Sequence, residues 1–256
     1  MIRANWPIGY YVDNEFLTKG DFDRFGYVSR ECGFTLTGCE WIDWFGVQPC
    51  KCKKTGGSSR YGGCNATPNP KQAKKFSETM NSYGLTVMWT MENRNACACR
   101  DQPDSWRDLQ LKRILKHWSK FGRSILFEPF SEPWVKPDGT EAWVRRVAPT
   151  LPPEVRLIVP DRDGNKGSGS PRWTGLTDGL YNTVHPASVG DALSAMRFGQ
   201  RVLVVTDHSG TLDPGAENCA KLAKESARTK AGLLIYRFEG QPREDSMRAM
   251  GAEIRL

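Results

Sequence analysis

The sequence predicts a single (β/α)8 barrel, and three observations predict it. Eight short apolar runs, rich in Val, Ile, Leu and aromatics, recur along the chain, each bounded by Gly, Pro or Asp. Such runs read as strands buried on both faces. Helical patterns separate most of them, and strands alternating with helices imply a parallel sheet. The length, 256 residues, suits a closed eight-unit barrel of about 250 residues.

The strands are expected at Ile8–Val12, Phe34–Thr37, Leu85–Trp89, Ser124–Phe127, Arg156–Val159, Gly179–Thr183, Val202–Thr206 and Gly232–Tyr236. Helices are expected over Asp21–Glu31, Pro70–Tyr83, Ser105–Phe121, Thr140–Val147, Val189–Phe198, Ala216–Thr229 and Ser246–Met250. Pro70 suits the first position of its helix. The stretch Ser105–Phe121 carries Trp106, Leu109, Ile114, Leu115 and Trp118 near helical spacing. The link Asp161–Thr177 has no helical pattern and is rich in Gly and Ser. One domain is therefore expected over residues 1–256, with a Cys- and Gly-rich insertion at 44–69 after the second strand.

Mean hydropathy is −0.54, and no run reaches the roughly 18 apolar residues of a membrane span. The net charge of +7 fits an anionic partner. Scattered Lys and Arg without a recognition motif point away from nucleic acid. No G-x-G-x-x-G follows a strand and no P-loop is present, so nucleotide cofactors lose support. With three histidines and no His-x-His after the first strand, a metal-dependent hydrolase is a minor alternative, and neither a metal nor an organic cofactor is expected.

The cysteines are Cys32, Cys39, Cys50, Cys52, Cys64, Cys97, Cys99 and Cys219. Eight cysteines point away from a reducing cytosol. Disulfides are favoured among Cys32, Cys39, Cys50, Cys52, Cys64, Cys97 and Cys99, with connectivity open. A structural zinc ranks second, because the Cys-x-Cys spacing here departs from the usual Cys-x2–4-Cys. The start, MIRANWPIGYYVDNEF, lacks the apolar core and cleavage site of a signal peptide. The protein is expected outside the cell or in a virion, reached by lysis or after loss of a leader; a cytoplasmic chain is the alternative.

In such barrels the active site lies at the C-terminal ends of the strands. Every expected strand is followed there by an acid or an imidazole: Asp13 and Glu15, Glu40 and Asp43, Glu92, Glu128 and Glu132, Asp161 and Asp163, His185, Asp207 and His208, and Glu239. Single acids at these positions also cap helices and turns. A ring of acids raises carboxyl pKa values by mutual repulsion, which is what a general acid needs. Trp41, Trp44, Trp89, Trp134 and Trp173 fall in or beside the same positions. Flat rings suit the apolar faces of sugars.

The segment ILFEPFSEPW, Ile125–Trp134, resembles the fourth strand of cellulase-like glycoside hydrolases, the retaining clan that includes family five. There a strand ends in Asn-Glu-Pro and its Glu is the acid/base; here the match is Ser131-Glu132-Pro133. YNTVHP resembles the sixth strand and its His185, and VLVVTDHSG resembles the seventh strand, which in that clan ends in a nucleophilic Glu.

The resemblance implies a TIM-barrel glycosidase acting on a β-linked polysaccharide, with Glu132 as acid/base and Asp207 as nucleophile or base. His185, Trp134, Trp89, Glu92, Glu239 and Trp41 are the expected substrate-binding residues, with Glu239 and Glu92 as substitute nucleophiles. Ser131 and Asp207 depart from the clan's pattern, which leaves a second reading open: a lapsed barrel that binds carbohydrate or builds a larger particle. A bacteriophage setting would add other virion proteins as partners.

Overall fold

A computed structural model describes residues 3–12, 14–40, 70–90, 105, 108, 111–112, 115–116, 125–128, 137–152, 155–160, 181–206, 212–236 and 242–254. Eight strands form a closed barrel in sequence order. They are β1 (Ile8–Val12), β2 (Leu36–Glu40), β3 (Thr86–Thr90), β4 (Ile125–Glu128), β5 (Val155–Pro160), β6 (Tyr181–Val184), β7 (Val202–Thr206) and β8 (Gly232–Tyr236). All neighbours pair in parallel, and β1 closes on β8 with Tyr11 opposite Tyr236.

The helices are α1 (Asn14–Lys19), α2 (Phe22–Glu31), α3 (Pro70–Ser82), α4 (Pro137–Val147), α5 (Val189–Met196), α6 (Ala216–Thr229) and α7 (Glu244–Ile254). Residues 105, 108, 111, 112, 115 and 116 are helical as well. Local sequence explains their starts. The Asp21 side chain accepts a hydrogen bond from the Arg24 amide at 2.9 Å, opening α2. Ser188 does the same for the Asp191 amide at 3.1 Å, opening α5. Each satisfies one orphan donor of a first turn.

β1, β7 and β8 are buried at every position, as the continuous apolar runs require. Alternation divides their side chains. Tyr11, Leu36, Met88, Leu203, Val205, Leu234 and Tyr236 pack together inside the barrel. Ile8, Tyr10, Val12, Cys39, Val87, Trp89, Val184, Val202, Val204, Leu233 and Ile235 face the helices and join the larger outer core. Among the described residues these side chains occupy the lumen, which leaves the mouth as the place where such barrels carry their sites.

Two sequence expectations are corrected here. β2 runs over Leu36–Glu40 rather than Phe34–Thr37. Its Gly38 looks like a turn residue but lies within the strand, opposite Tyr11. A Cβ at Gly38 would stand 2.2 Å from the Tyr11 ring, so glycine makes the room that this tyrosine fills. Cys32 and Cys39 carry thiols rather than disulfide bonds. Cys32 caps α2 and packs against Gly251 of α7, where an added Cβ would stand 2.8 Å from it. Cys39 lies on the outer face of β2 with its thiol 3.9 Å from the Met88 carbonyl oxygen. Each fills a separate place in the outer core. Cys50, Cys52, Cys64, Cys97, Cys99 and the 44–69 insertion lie outside the described residues.

Candidate active site

Closure in sequence order brings all eight C-terminal strand ends to one rim. The described rim runs through Val12, Glu40, Thr90, Glu128, Pro160, Val184, Thr206 and Tyr236. Glu40 pairs with Thr90, and Thr90 pairs with Glu128. Two acidic residues thus share one level of the rim on either side of β3. Neighbouring strands lie about 4.8 Å apart, which separates the two backbones by about 10 Å.

His185 follows β6 directly and is buried, with 3% exposure. That is the rim position expected of it. Trp89 does not belong to the mouth. Its side chain points out of the barrel, 1% exposed, and meets Phe76 of α3 edge-on at 6.3 Å between centroids. The cause is strand parity: Met88 takes the lumen side of β3, so Trp89 must take the other. Glu132, Trp134, Asp207, Glu239, Glu92 and Trp41 lie outside the described residues.

The floor of the mouth is aromatic. Tyr11 and Tyr236 are neighbours on β1 and β8, with ring centroids 4.7 Å apart and planes at 88°. This edge-to-face packing matches the positive edge of one ring to the negative face of the other. The Tyr236 amide donates to Thr206 Oγ1 at 3.1 Å, which ties the end of β8 to the end of β7.

A polar network that the sequence did not reveal sits beside this rim, centred on Asp213 between β7 and α6. The side chain of Asp213 is 5% exposed. Its Oδ2 accepts the Tyr10 hydroxyl. Its Oδ1 accepts Ser246 Oγ at 2.8 Å and the Cys219 thiol at 3.6 Å. Arg243 Nε stands 4.0 Å from Oδ2. The Asp213 amide donates to the Tyr236 carbonyl at 3.0 Å. Burial, reinforced by Asp213, pushes the Tyr10 hydroxyl far above the usual tyrosine range. Burial, reinforced by the Asp213 charge, pushes the Cys219 thiol up to about 12. Both groups therefore keep their protons and remain donors. The local signal is TLDPG, which announces a turn. It does not announce a partner 203 residues away, as Tyr10 is.

Among the described residues, no group of three or more His, Cys, Asp or Glu side chains could hold a metal ion. No described helix is long and apolar enough to cross a membrane.

No protein-family model matches the chain, and no curated protein matches it. Solved structures do. A GH5-4 broad specificity endoglucanase from Clostridum cellulovorans aligns with 98% of this chain and 94% of its own, at TM-score 0.62 and 9% identity. The spore cortex-lytic enzyme SleL of Bacillus cereus aligns over 99% of this chain and 75% of its own, at TM-score 0.63 and 9% identity. A family 30 subfamily 8 xylanase from Clostridium acetobutylicum aligns over 98% and 71%, at TM-score 0.60 and 12% identity. This chain shares the barrel fold of these enzymes.

Proposed function

We propose that the protein is a glycoside hydrolase that cleaves a β-linked polysaccharide, with Glu132 as general acid/base and Asp207 as the second carboxylate. The observation that carries the reading is the closed barrel itself, whose solved neighbours include an endoglucanase and a xylanase. Two local facts support it. β4 ends at Glu128, and Glu132 follows in the Ser-Glu-Pro sequence; β7 ends at Thr206, and Asp207 is the next residue.

In this reading Glu132 donates a proton to the glycosidic oxygen as the bond to the anomeric carbon breaks. Asp207 then acts in one of two ways. At a carboxyl separation of about 5–5.5 Å it attacks the anomeric carbon directly, while about 6.5–9.5 Å admits a water that it deprotonates. Aspartate is one methylene shorter than glutamate, which favours the wider gap. His185, buried at the end of β6, would orient a carboxylate or the sugar. Trp134 and Trp41 would stack on sugar faces, and Glu92 and Glu239 would bind hydroxyls or replace Asp207. The net charge of +7 favours an acidic glycan by raising its local concentration. An extracellular or virion setting, with other virion proteins as partners, would suit that substrate.

A second reading is a lapsed barrel that binds carbohydrate or serves a larger assembly. Ser131 and Asp207, where the clan has Asn and Glu, favour it. Reducing-end release from β-glucans, β-mannans, peptidoglycan and acidic capsular polysaccharides separates the two. Activity that Glu132→Gln abolishes is expected. Glycan binding without cleavage, unchanged by Glu132→Gln, would leave only the second reading.

A further inference from the structure

We infer that Leu212 is a substrate-contact residue at the mouth of the barrel: clasped in place by Asp213, it presents the apolar surface of the lumen to the C–H face of a β-linked hexopyranose unit. The inference rests on the carbohydrate reading of the mouth given above.

The first argument is exposure. Tyr11, Leu36, Met88, Leu203, Val205, Leu234 and Tyr236 pack together in the lumen, and none is more than 5% exposed. Leu212 packs against this cluster and is only partly buried. Among the described residues, it is therefore where the apolar lumen meets solvent. Leu212 stands between the end of β7 and the start of α6. That is the face on which such barrels bind their substrates.

The second argument is fixity. The next residue, Asp213, has φ of 29°, a region that non-glycine residues seldom occupy and that persists where surroundings over-determine it. Here they act from both ends. The Asp213 amide donates to the Tyr236 carbonyl at 3.0 Å, at the end of β8. Its buried carboxylate accepts from Tyr10 of β1, Cys219 of α6 and Ser246 of α7. Each donor must meet its oxygen at a set distance and angle, so the residue beside Leu212 is held from four elements. A side chain already held in place loses little freedom when a ligand arrives.

The third argument is chemical. Leu212 carries no charge and no hydrogen-bonding group, and an ionised ligand group placed on it would lose water without gaining a partner. A pyranose ring offers apolar C–H patches on its faces, while its hydroxyls project from the edge and stay free to hydrogen-bond. The unit seated on Leu212 is therefore the uncharged face of a sugar.

The test compares Leu212→Ala, Leu212→Met and Asp213→Asn, each combined with Glu132→Gln so that bound glycan is not cleaved. Calorimetric binding of soluble β-glucan, β-mannan and peptidoglycan oligosaccharides is measured beside thermal unfolding. Leu212→Ala is expected to weaken binding by about tenfold, the scale of lost apolar contact in a sugar-sized pocket. Leu212→Met, which keeps the volume, is expected to stay within about twofold of the parent. Asp213→Asn, which keeps size and tolerates this φ, is expected to weaken binding by less than Leu212→Ala. On any glycan that the protein with Glu132 intact cleaves, Leu212→Ala should raise KM by about tenfold with kcat held within about twofold, the mark of a uniform binding contact.

A lower melting temperature in Leu212→Ala with unchanged affinity would overturn the inference and leave Leu212 a plug of the lumen. So would a parent protein that binds none of the oligosaccharides. Binding without cleavage by the wild-type protein would sink the glycosidase reading alone, and the affinities would still decide the role of Leu212.

Discussion

Two sectors of the barrel wall are held together by opposite chemistry. Beside β3, α1, α2 and α3 meet through a cluster of rings: Phe16 packs on Phe22 at 5.7 Å, on Phe25 at 5.2 Å and on Phe76 at 6.5 Å. Phe76 also meets Phe22 at 5.2 Å and Trp89 at 6.3 Å. Between β1, β8 and the two last helices, the same layer contains Asp213 and its donors instead. The ring cluster is non-directional, and many arrangements of similar volume would fill it. The Asp213 network tolerates one arrangement. The difference suggests that the first sector supplies bulk stability and the second supplies position.

The largest expected effect tests the first half of that statement. Phe76 is fully buried at the centre of the cluster. Phe76→Ala should lower stability by about 3–5 kcal/mol, the usual cost of emptying a buried aromatic site. At roughly 2–4 °C per kcal/mol for a chain of this size, thermal unfolding would fall by about 10 °C. In the polar sector, Tyr10→Phe keeps the ring and removes one donor to Asp213. It should cost about 1–3 kcal/mol, the penalty for a buried group left short of a partner. Thermal melts of the two variants side by side decide the matter: a larger loss from Tyr10→Phe than from Phe76→Ala would reverse the assignment of the sectors.

The pH dependence sharpens the contrast, because the polar sector contains a buried thiol and a buried phenol whose pKa values burial raises. The folded Cys219 thiol holds its proton up to about 12, against an ordinary value near 9. Tyr10 is shifted in the same direction from 10. Between the unfolded and folded values the unfolded chain binds fewer protons, so stability must fall as pH rises through that window and be fully present below it. Melting temperature should decline from about pH 9 upward, and Cys219→Ala should make that decline shallower. A decline of equal slope in Cys219→Ala would mean that the thiol is not held neutral by this network.

The same contrast explains what could be read from the sequence. The barrel was legible because strands buried on both faces produce unbroken apolar runs: β1, β7 and β8 lie over the residues expected of them. So was α6, Ala216–Thr229. For the same reason the facing of each residue was not legible, since a run that is apolar on both sides has no visible alternation. Trp89 therefore reads as a mouth residue, although parity sends it to Phe76. β2 reads early because Gly38 looks like the boundary of its apolar run, whereas Gly38 lies within the strand and makes room for Tyr11 of β1. Asp213 was hidden most completely. Its turn is local, but two of its donors are 203 and 33 residues away, and only closure of the barrel brings them near.

The smallest expected effect concerns the surface link between the two sectors. Arg24 of α2 pairs with Glu244 of α7 through two short bonds, Nε to Oε1 at 2.6 Å and Nη2 to Oε2 at 2.8 Å. The pair joins the ring cluster's helix to the helix that supplies Ser246. Its geometry is favourable, and the Arg24 guanidinium holds the Glu244 carboxyl below its ordinary range. Both side chains nevertheless remain well exposed, at 53% and 38%. Water and salt screen such a pair, and ordering two long side chains offsets much of the attraction. Arg24→Ala should therefore lower the melting temperature less than Tyr10→Phe does, and the difference from wild type should vanish in high salt. A loss that survives high salt would mean that α2 and α7 depend on this contact for their packing, and that the two sectors are not mechanically separate.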